Sequence, residues 1–207
     1  MYRSLSLALS IIFQPLLIPT IIFALLFYVI PEATSVPKSV KGSVMFLVMA
    51  TTLLIPLISV IGMRLTHTIE SMHMRTIKDR MFPFSMVTLF YLITTYFFIA
   101  RLDFDPLLGY TLSVITACLV VLTLITYFWK ISAHTTGLAG MLAIVIVLNL
   151  KYNSENLLYP LIFSIIICGA VMSSRLYLNA HRPIEVLAGF ILGFSICFLS
   201  FYYFLII

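Results

Sequence analysis

Nineteen ionisable side chains, twelve Lys or Arg and seven Asp or Glu, are spaced so unevenly along 207 residues that seven long stretches carry almost none. These run over 5–31, 43–63, 84–100, 106–129, 131–150, 157–174 and 183–207, interrupted only by His134 and Glu185. A charge at the bilayer centre costs about 2.5–3.5 kcal/mol on insertion scales, and a helix needs about 20 apolar residues to cross. Charge gaps of this length therefore mark membrane spans. The runs are about twice the length of barrel strands and lack inside-outside alternation, which excludes a β-barrel. With 62% of residues hydrophobic and 9% charged, the chain cannot be a soluble domain, where about 25% are charged. The expected fold is all-α: a polytopic transmembrane helix bundle of about seven spans, forming a single integral membrane domain over residues 1–207. The first span follows Met1-Tyr2-Arg3 and leads into the polar turn Pro31 to Ser35 with no A-x-A site, so it is expected to be retained.

Cys118, Cys168 and Cys197 all fall inside apolar runs, an odd count without a C-x-x-C pair, and are expected to pack as small hydrophobes. The net charge of +5 sits in loops between spans, which favours anionic lipid or phosphate and excludes nucleic acid as partner. Three polar clusters stand out: Arg64 to Arg80, Lys130 to His134, and Arg175 to Arg182. Two spans separate each from the next, so all three are expected on one face. That face holds all four histidines, His67, His73, His134 and His181. The other carries Lys38, Lys41, Arg101 and Lys151 with Glu32, Asp103, Asp105 and Glu155, which reads as ordinary solvated loop chemistry.

Arginine forks match phosphate oxygens, and imidazole attacks or donates a proton near neutral pH, so an Arg- and His-rich face at helix ends suits a phosphate. The competing reading is the positive-inside rule, under which the arginines only signal topology. Local spacing favours chemistry. The third cluster reads S-R-x5-H-x3-E over Ser174 to Glu185. Pro183 suits the first turn of the seventh helix, which puts His181 just outside and Glu185 within reach of its imidazole. One ring nitrogen then becomes a donor and the other can attack phosphorus. Ser132 is the expected N-cap of the fifth helix, whose start favours an anion.

These residues resemble the type 2 phosphatidic acid phosphatase superfamily, whose motifs read K-x6-R-P, P-S-G-H and S-R-x5-H-x3-D in chain order. Ser174, Arg175 and His181 match the third motif, with Glu185 in place of its aspartate. Ile131-Ser132-Ala133-His134 keeps the Ser and His of the second. In the first, aligned on Pro83, Arg75 takes the lysine position and Phe82 the arginine position, which leaves Arg80 or Lys78 to supply the missing charge. The resemblance spans residues 75–189 and implies a six-helix phosphatase-like core. It implies a membrane-embedded lipid phosphate or diphosphate phosphatase with His181 as nucleophile, Glu185 orienting it and His134 protonating the leaving group. Arg75, Lys78, Arg80, Arg175, Ser132 and the Ala133 N–H would hold the phosphoryl oxygens, with no metal and no cofactor. A catalytically silent relative that binds or carries anionic lipids, and a lipid phosphotransferase, are the alternatives.

Relatives acting on bacterial envelope lipids face the periplasm, whereas the Lys and Arg excess points to the cytoplasm. Because several of those charges have a phosphate-binding explanation, the expected site is on the periplasmic face of a bacterial inner membrane. Gly189 and Gly193 form a small-xxx-small pattern, and Gly137 and Gly140 line the fifth span. The expectation is that they pack these two helices together, with a homodimer face as the competitor. Met72-His73-Met74 offers too few ligands for a metal site. Trp129 beside Lys130 reads as an interfacial anchor. Gln14, Pro15 and Pro19 mark a kink or a polar contact in the first span.

Overall fold

The computed structural model of the chain describes residues 2–69, 76–102 and 105–207. Among these there is no strand, and seven helices are long and apolar enough to cross a membrane: α1 (Tyr2–Val29), α2 (Lys38–Leu65), α3 (Ile77–Leu102), α4 (Pro106–Thr126), α5 (Ala133–Tyr152), α6 (Glu155–Tyr177) and α7 (Pro183–Leu205). The all-α polytopic fold read from the charge gaps is the fold observed. The chain forms two compact units, one of Met1–Ile18 with Ile131–Ile207 and one of Pro19–Lys130.

Within Pro19–Lys130, prolines break the helices and side chains repair the breaks. Pro56 has no N–H to offer the Thr52 carbonyl four residues back, and α2 widens into a π turn over Ala50–Leu54 just before it. The buried Tyr91 of α3 donates its hydroxyl to that Thr52 carbonyl at 3.1 Å. Helices α3 and α4 are joined by a seam of hydroxyls in antiparallel register: Ser85 with Tyr127 at 2.8 Å, Thr88 with Thr123 at 2.7 Å, and Thr95 with Thr116 at 2.7 Å. Such pairs are worth about 0.6 kcal/mol each between membrane helices, up to about 1.7. Asp105 caps α4 through the Leu107 N–H, while its second oxygen accepts from the Ser35 N–H and hydroxyl.

The expectation of ordinary solvated chemistry fails at Lys41. Because α2 already begins at Lys38, Lys41 lies one turn inside the helix and is 5% exposed. Its Nζ donates to the carbonyls of Phe27 at 3.1 Å and Pro31 at 3.5 Å, and lies 5.6 Å from the Phe27 ring centroid. A cation at the C-terminal end of α1 supplies donors where helical carbonyls lose their own partners.

In the other unit α5 is the central element, with most of its residues buried and with α6 and α7 packed along it. Contact between α5 and α7 is close because glycine removes the side chain at the crossing. A Cβ on Gly193 would stand 2.0 Å from the Thr136 carbonyl oxygen, one on Gly189 2.7 Å from the Ser132 carbonyl oxygen, and one on Gly140 2.9 Å from Cys197 Sγ. The contacts advance together along both helices, which therefore run parallel and start at the same end. The small-residue stripe is thus used inside the chain. Gly137 is the exception, since its open side faces Ile18 and Pro15 of α1.

Helix α1 is two pieces. The first ends at Ile12, Gln14 is extended (φ −68°, ψ 147°), and a 3-10 turn over Pro15–Leu17 starts the second. A residue before proline avoids the helical region, and Pro15 itself has no N–H, so the break is written in the Gln14-Pro15 pair. The first piece packs against α6, where Phe13 and Phe163 place their rings 6.0 Å apart.

Candidate active site at the turn between α6 and α7

The five residues between α6 and α7 are fixed at both ends by backbone capping. Helix α6 closes with a Schellman arrangement: the Ala180 N–H reaches the Arg175 carbonyl at 3.1 Å, and the Asn179 N–H the Leu176 carbonyl at 2.9 Å. Asn179 takes the left-handed conformation this requires, at φ 51°, which asparagine tolerates better than most residues. Four residues after Asn179, Pro183 opens α7 in the first helical position, where its missing N–H costs nothing. His181 stands between the two devices.

Glu185 occupies the third position of α7, from which a carboxylate reaches back to the N-cap. Its Oε2 accepts from the Arg182 backbone N–H at 3.0 Å and from His181 Nδ1 at 3.0 Å. Both side chains are withdrawn from solvent, at 2% exposure for His181 and 11% for Glu185. A carboxylate only accepts, so the hydrogen of the neutral ring sits on Nδ1, and Nε2 is the nitrogen that carries the lone pair. The arrangement can hold an imidazole in one tautomer and one orientation, and it can stabilise positive charge on the ring once Nε2 forms a bond.

Arg175 lies in the last turn of α6, and its backbone carbonyl is the acceptor that closes the Schellman turn. Its side chain is half-buried, and its Nε is a buried donor without an acceptor among the described residues. A buried unsatisfied N–H on a guanidinium is costly unless an anion meets it. Ser174 is buried and returns its hydroxyl to the Ala170 carbonyl at 2.8 Å. Arg182 is exposed at the start of α7 and offers no acceptor to complete a reciprocal cap.

The start of α5 is tied to the start of α7 by a backbone bond from the Ser132 N–H to the Glu185 carbonyl at 3.2 Å. Ser132 is the N-cap of α5, fully buried, and its hydroxyl oxygen accepts from the Thr135 hydroxyl at 2.9 Å and the Thr135 N–H at 3.5 Å. Ala133 is the first helical residue, in the set of N–H groups that have no intrahelical acceptor. His134 is half-buried, with Nε2 at 2.9 Å from the backbone carbonyl of Ser10 in α1. Neither the Thr135 hydroxyl nor the Ser10 carbonyl was identified by sequence reasoning. The only signals were a second hydroxyl three residues after the cap and the Gln14-Pro15 break.

Of the residues around the first motif, Lys78 is exposed and Phe82 is 52% exposed, both in the first turns of α3. Arg80 is 5% exposed, with its guanidinium carbon 5.9 Å from the Phe84 ring centroid. Arg75, with the Met72-His73-Met74 triplet, lies outside the described residues. Among the described residues no group of three or more His, Cys, Asp or Glu side chains is placed to hold a metal ion.

The sequence from 126 to 206 matches the family model of the PAP2 superfamily. The matched stretch contains the Ser-x-His at the start of α5 and the whole S-R-x5-H-x3-E segment, and it begins after the first-motif segment. No curated protein and no solved structure matches the chain.

Proposed function

We propose that the protein is a lipid phosphate or diphosphate phosphatase that works through a phosphohistidine on His181. The observation that carries this reading is the buried His181–Glu185 pair at 3.0 Å, seated in a turn whose two ends are both capped. Such a pair fixes the donor nitrogen and aims the other, which is what a nucleophilic imidazole needs. In the first step Nε2 of His181 forms a bond to phosphorus as the bond to the leaving oxygen breaks. The electron pair stays on that oxygen, which takes a proton from His134. In the second step water attacks phosphorus, the phosphorus–nitrogen bond breaks with its electron pair returning to Nε2, and His134 takes the proton from water. Arg175, through its buried Nε, holds a phosphoryl oxygen, as do the Ala133 N–H and the Ser132 cap. No metal takes part.

A site at helix ends meets a phosphate at headgroup depth while the substrate's own chains stay in the bilayer, which is why a lipid is the substrate class. The site faces the periplasm across a bacterial inner membrane. The test is phosphate release by the purified protein in detergent from phosphatidic acid, phosphatidylglycerol phosphate and a polyprenyl diphosphate, in the presence of a chelator. Release that His181→Ala abolishes, with an acid-labile phosphoenzyme in the parent, is the expected result. Binding of these lipids without turnover in any variant would instead identify a silent carrier. Transfer to an alcohol acceptor in preference to water would identify a phosphotransferase.

A further inference from the structure

We infer that the break in α1 is a positioning device for His134: the Ser10 carbonyl exposed by the Gln14-Pro15 break fixes the ring so that it works through Nδ1. This rests on the phosphatase reading above and adds a residue-level requirement to it.

In an uninterrupted helix the Ser10 carbonyl would accept from the N–H of residue 14. Gln14 is instead extended, and the helix has already ended at Ile12. A backbone carbonyl stranded inside a membrane protein must find another donor, and the donor it meets is His134 Nε2 at 2.9 Å. A carbonyl oxygen accepts and never donates, so the hydrogen of the neutral ring is on Nε2 and the opposite nitrogen, Nδ1, is the one that exchanges a proton with substrate. The two catalytic imidazoles are therefore set in opposite senses: His181 carries its fixed hydrogen on Nδ1 and reacts at Nε2, whereas His134 carries it on Nε2 and reacts at Nδ1.

A second contact holds the broken segment in place. One turn along α5 from His134, the missing side chain of Gly137 leaves room for the turn that follows the break, with its Cβ position 3.3 Å from Ile18 Cγ1 and 3.8 Å from Pro15 Cα. The proline that frees the carbonyl and the glycine that seats the turn thus act on the same histidine.

The test uses the full chain in detergent with ¹⁵N-labelled histidine, His134 being assigned by the signal lost in His134→Gln. In the parent, neutral His134 should show a protonated Nε2 and a bare Nδ1. Pro15→Ala restores an N–H at position 15 and lets Gln14 return to the helix, where its N–H competes for the Ser10 carbonyl. That variant should show a mixture of tautomers and a kcat lower by about 10²-fold, the scale of an ångström-level misplacement, with KM unchanged. In a His134→Gln background Pro15→Ala should cost nothing more, and Pro19→Ala should match the parent throughout. Gly137→Ala, which only nudges the turn, should move both readouts in the same direction by a smaller amount and serves if Pro15→Ala does not fold. A bare Nε2 in the parent overturns the inference. So does an unchanged nitrogen signature in both variants, or an equal loss from Pro15→Ala with and without His134. A parent that releases no phosphate defeats the phosphatase reading, while the nitrogen signature still decides the positioning.

Discussion

One oxygen of Glu185 serves two donors, the backbone N–H that begins α7 and the ring of His181. The charge and the reach of this side chain can be separated by substitution. Glu185→Gln keeps an acceptor of the same length and should retain the cap, yet it gives up the negative charge facing an imidazole that becomes positive in the reaction. We expect kcat to fall by about 10²-fold with little change in Tm. Glu185→Ala removes cap and orientation together and should cost about 1 kcal/mol of stability in addition to a deeper loss of kcat. Glu185→Asp should stay active, because Asp79 at the equivalent position of α3 reaches its own N-cap N–H at 3.3 Å. Steady-state kinetics with thermal unfolding of the same preparations would decide it. Equal kcat for Glu185→Ala and the parent would remove the carboxylate from the mechanism. The His181 to Glu185 spacing was readable from sequence because both capping positions follow from Pro183. The partner of His134 was not, since nothing local in the chain says which distant carbonyl a broken helix will present.

Helices here approach one another through positions where side chains are absent or hydroxylated. At Gly193 an added methyl would overlap the Thr136 carbonyl oxygen, and no side-chain rotation relieves a clash with backbone. Gly193→Ala should therefore force α5 and α7 apart, lowering Tm and, through the Ser132–Glu185 backbone link, phosphate release with it. Gly169→Ala, where nothing lies within 4 Å of the new methyl, should leave activity as it is. Thermal unfolding and phosphate release of the two variants side by side check this; a Tm for Gly193→Ala equal to that of Gly169→Ala would contradict the close crossing. The seven spans were legible because a bilayer penalises charge so steeply that the gaps map the helices. Irregularities within them were legible only as marks. Gly137 and Gly140 are one turn apart, a spacing that puts them near one face, yet Gly137 meets α1 and Gly140 meets α7, and periodicity alone does not name the neighbour. Lys41 was misread because a basic residue near a predicted loop looks solvated, whereas the helix had already begun and the long side chain turned inward to the carbonyls of Phe27 and Pro31.

At the scale of the whole molecule the proposed site belongs to the unit of residues 1–18 and 131–207, which contains nearly all of the stretch that matches the PAP2 superfamily model. Orientation in the membrane has a direct test, because Arg182 is exposed beside the site and the three native cysteines are all buried. Arg182→Cys should react with a membrane-impermeant maleimide on intact bacterial cells expressing the protein. Labelling only after permeabilisation would place the site on the cytoplasmic side and return its arginines to the topology rule. The division into units also has a temporal meaning. Residues 2–18 leave the ribosome ahead of their partners in α5 and α6, which follow only after the 112 residues from Pro19 to Lys130. At about 5–20 residues per second that interval is roughly 6–22 s. Throughout it, the histidine that meets the stranded Ser10 carbonyl, His134, has not yet been made. A nascent chain halted at Lys130 already contains every member of the hydroxyl seam between α3 and α4, and neither half of the His181–Glu185 pair.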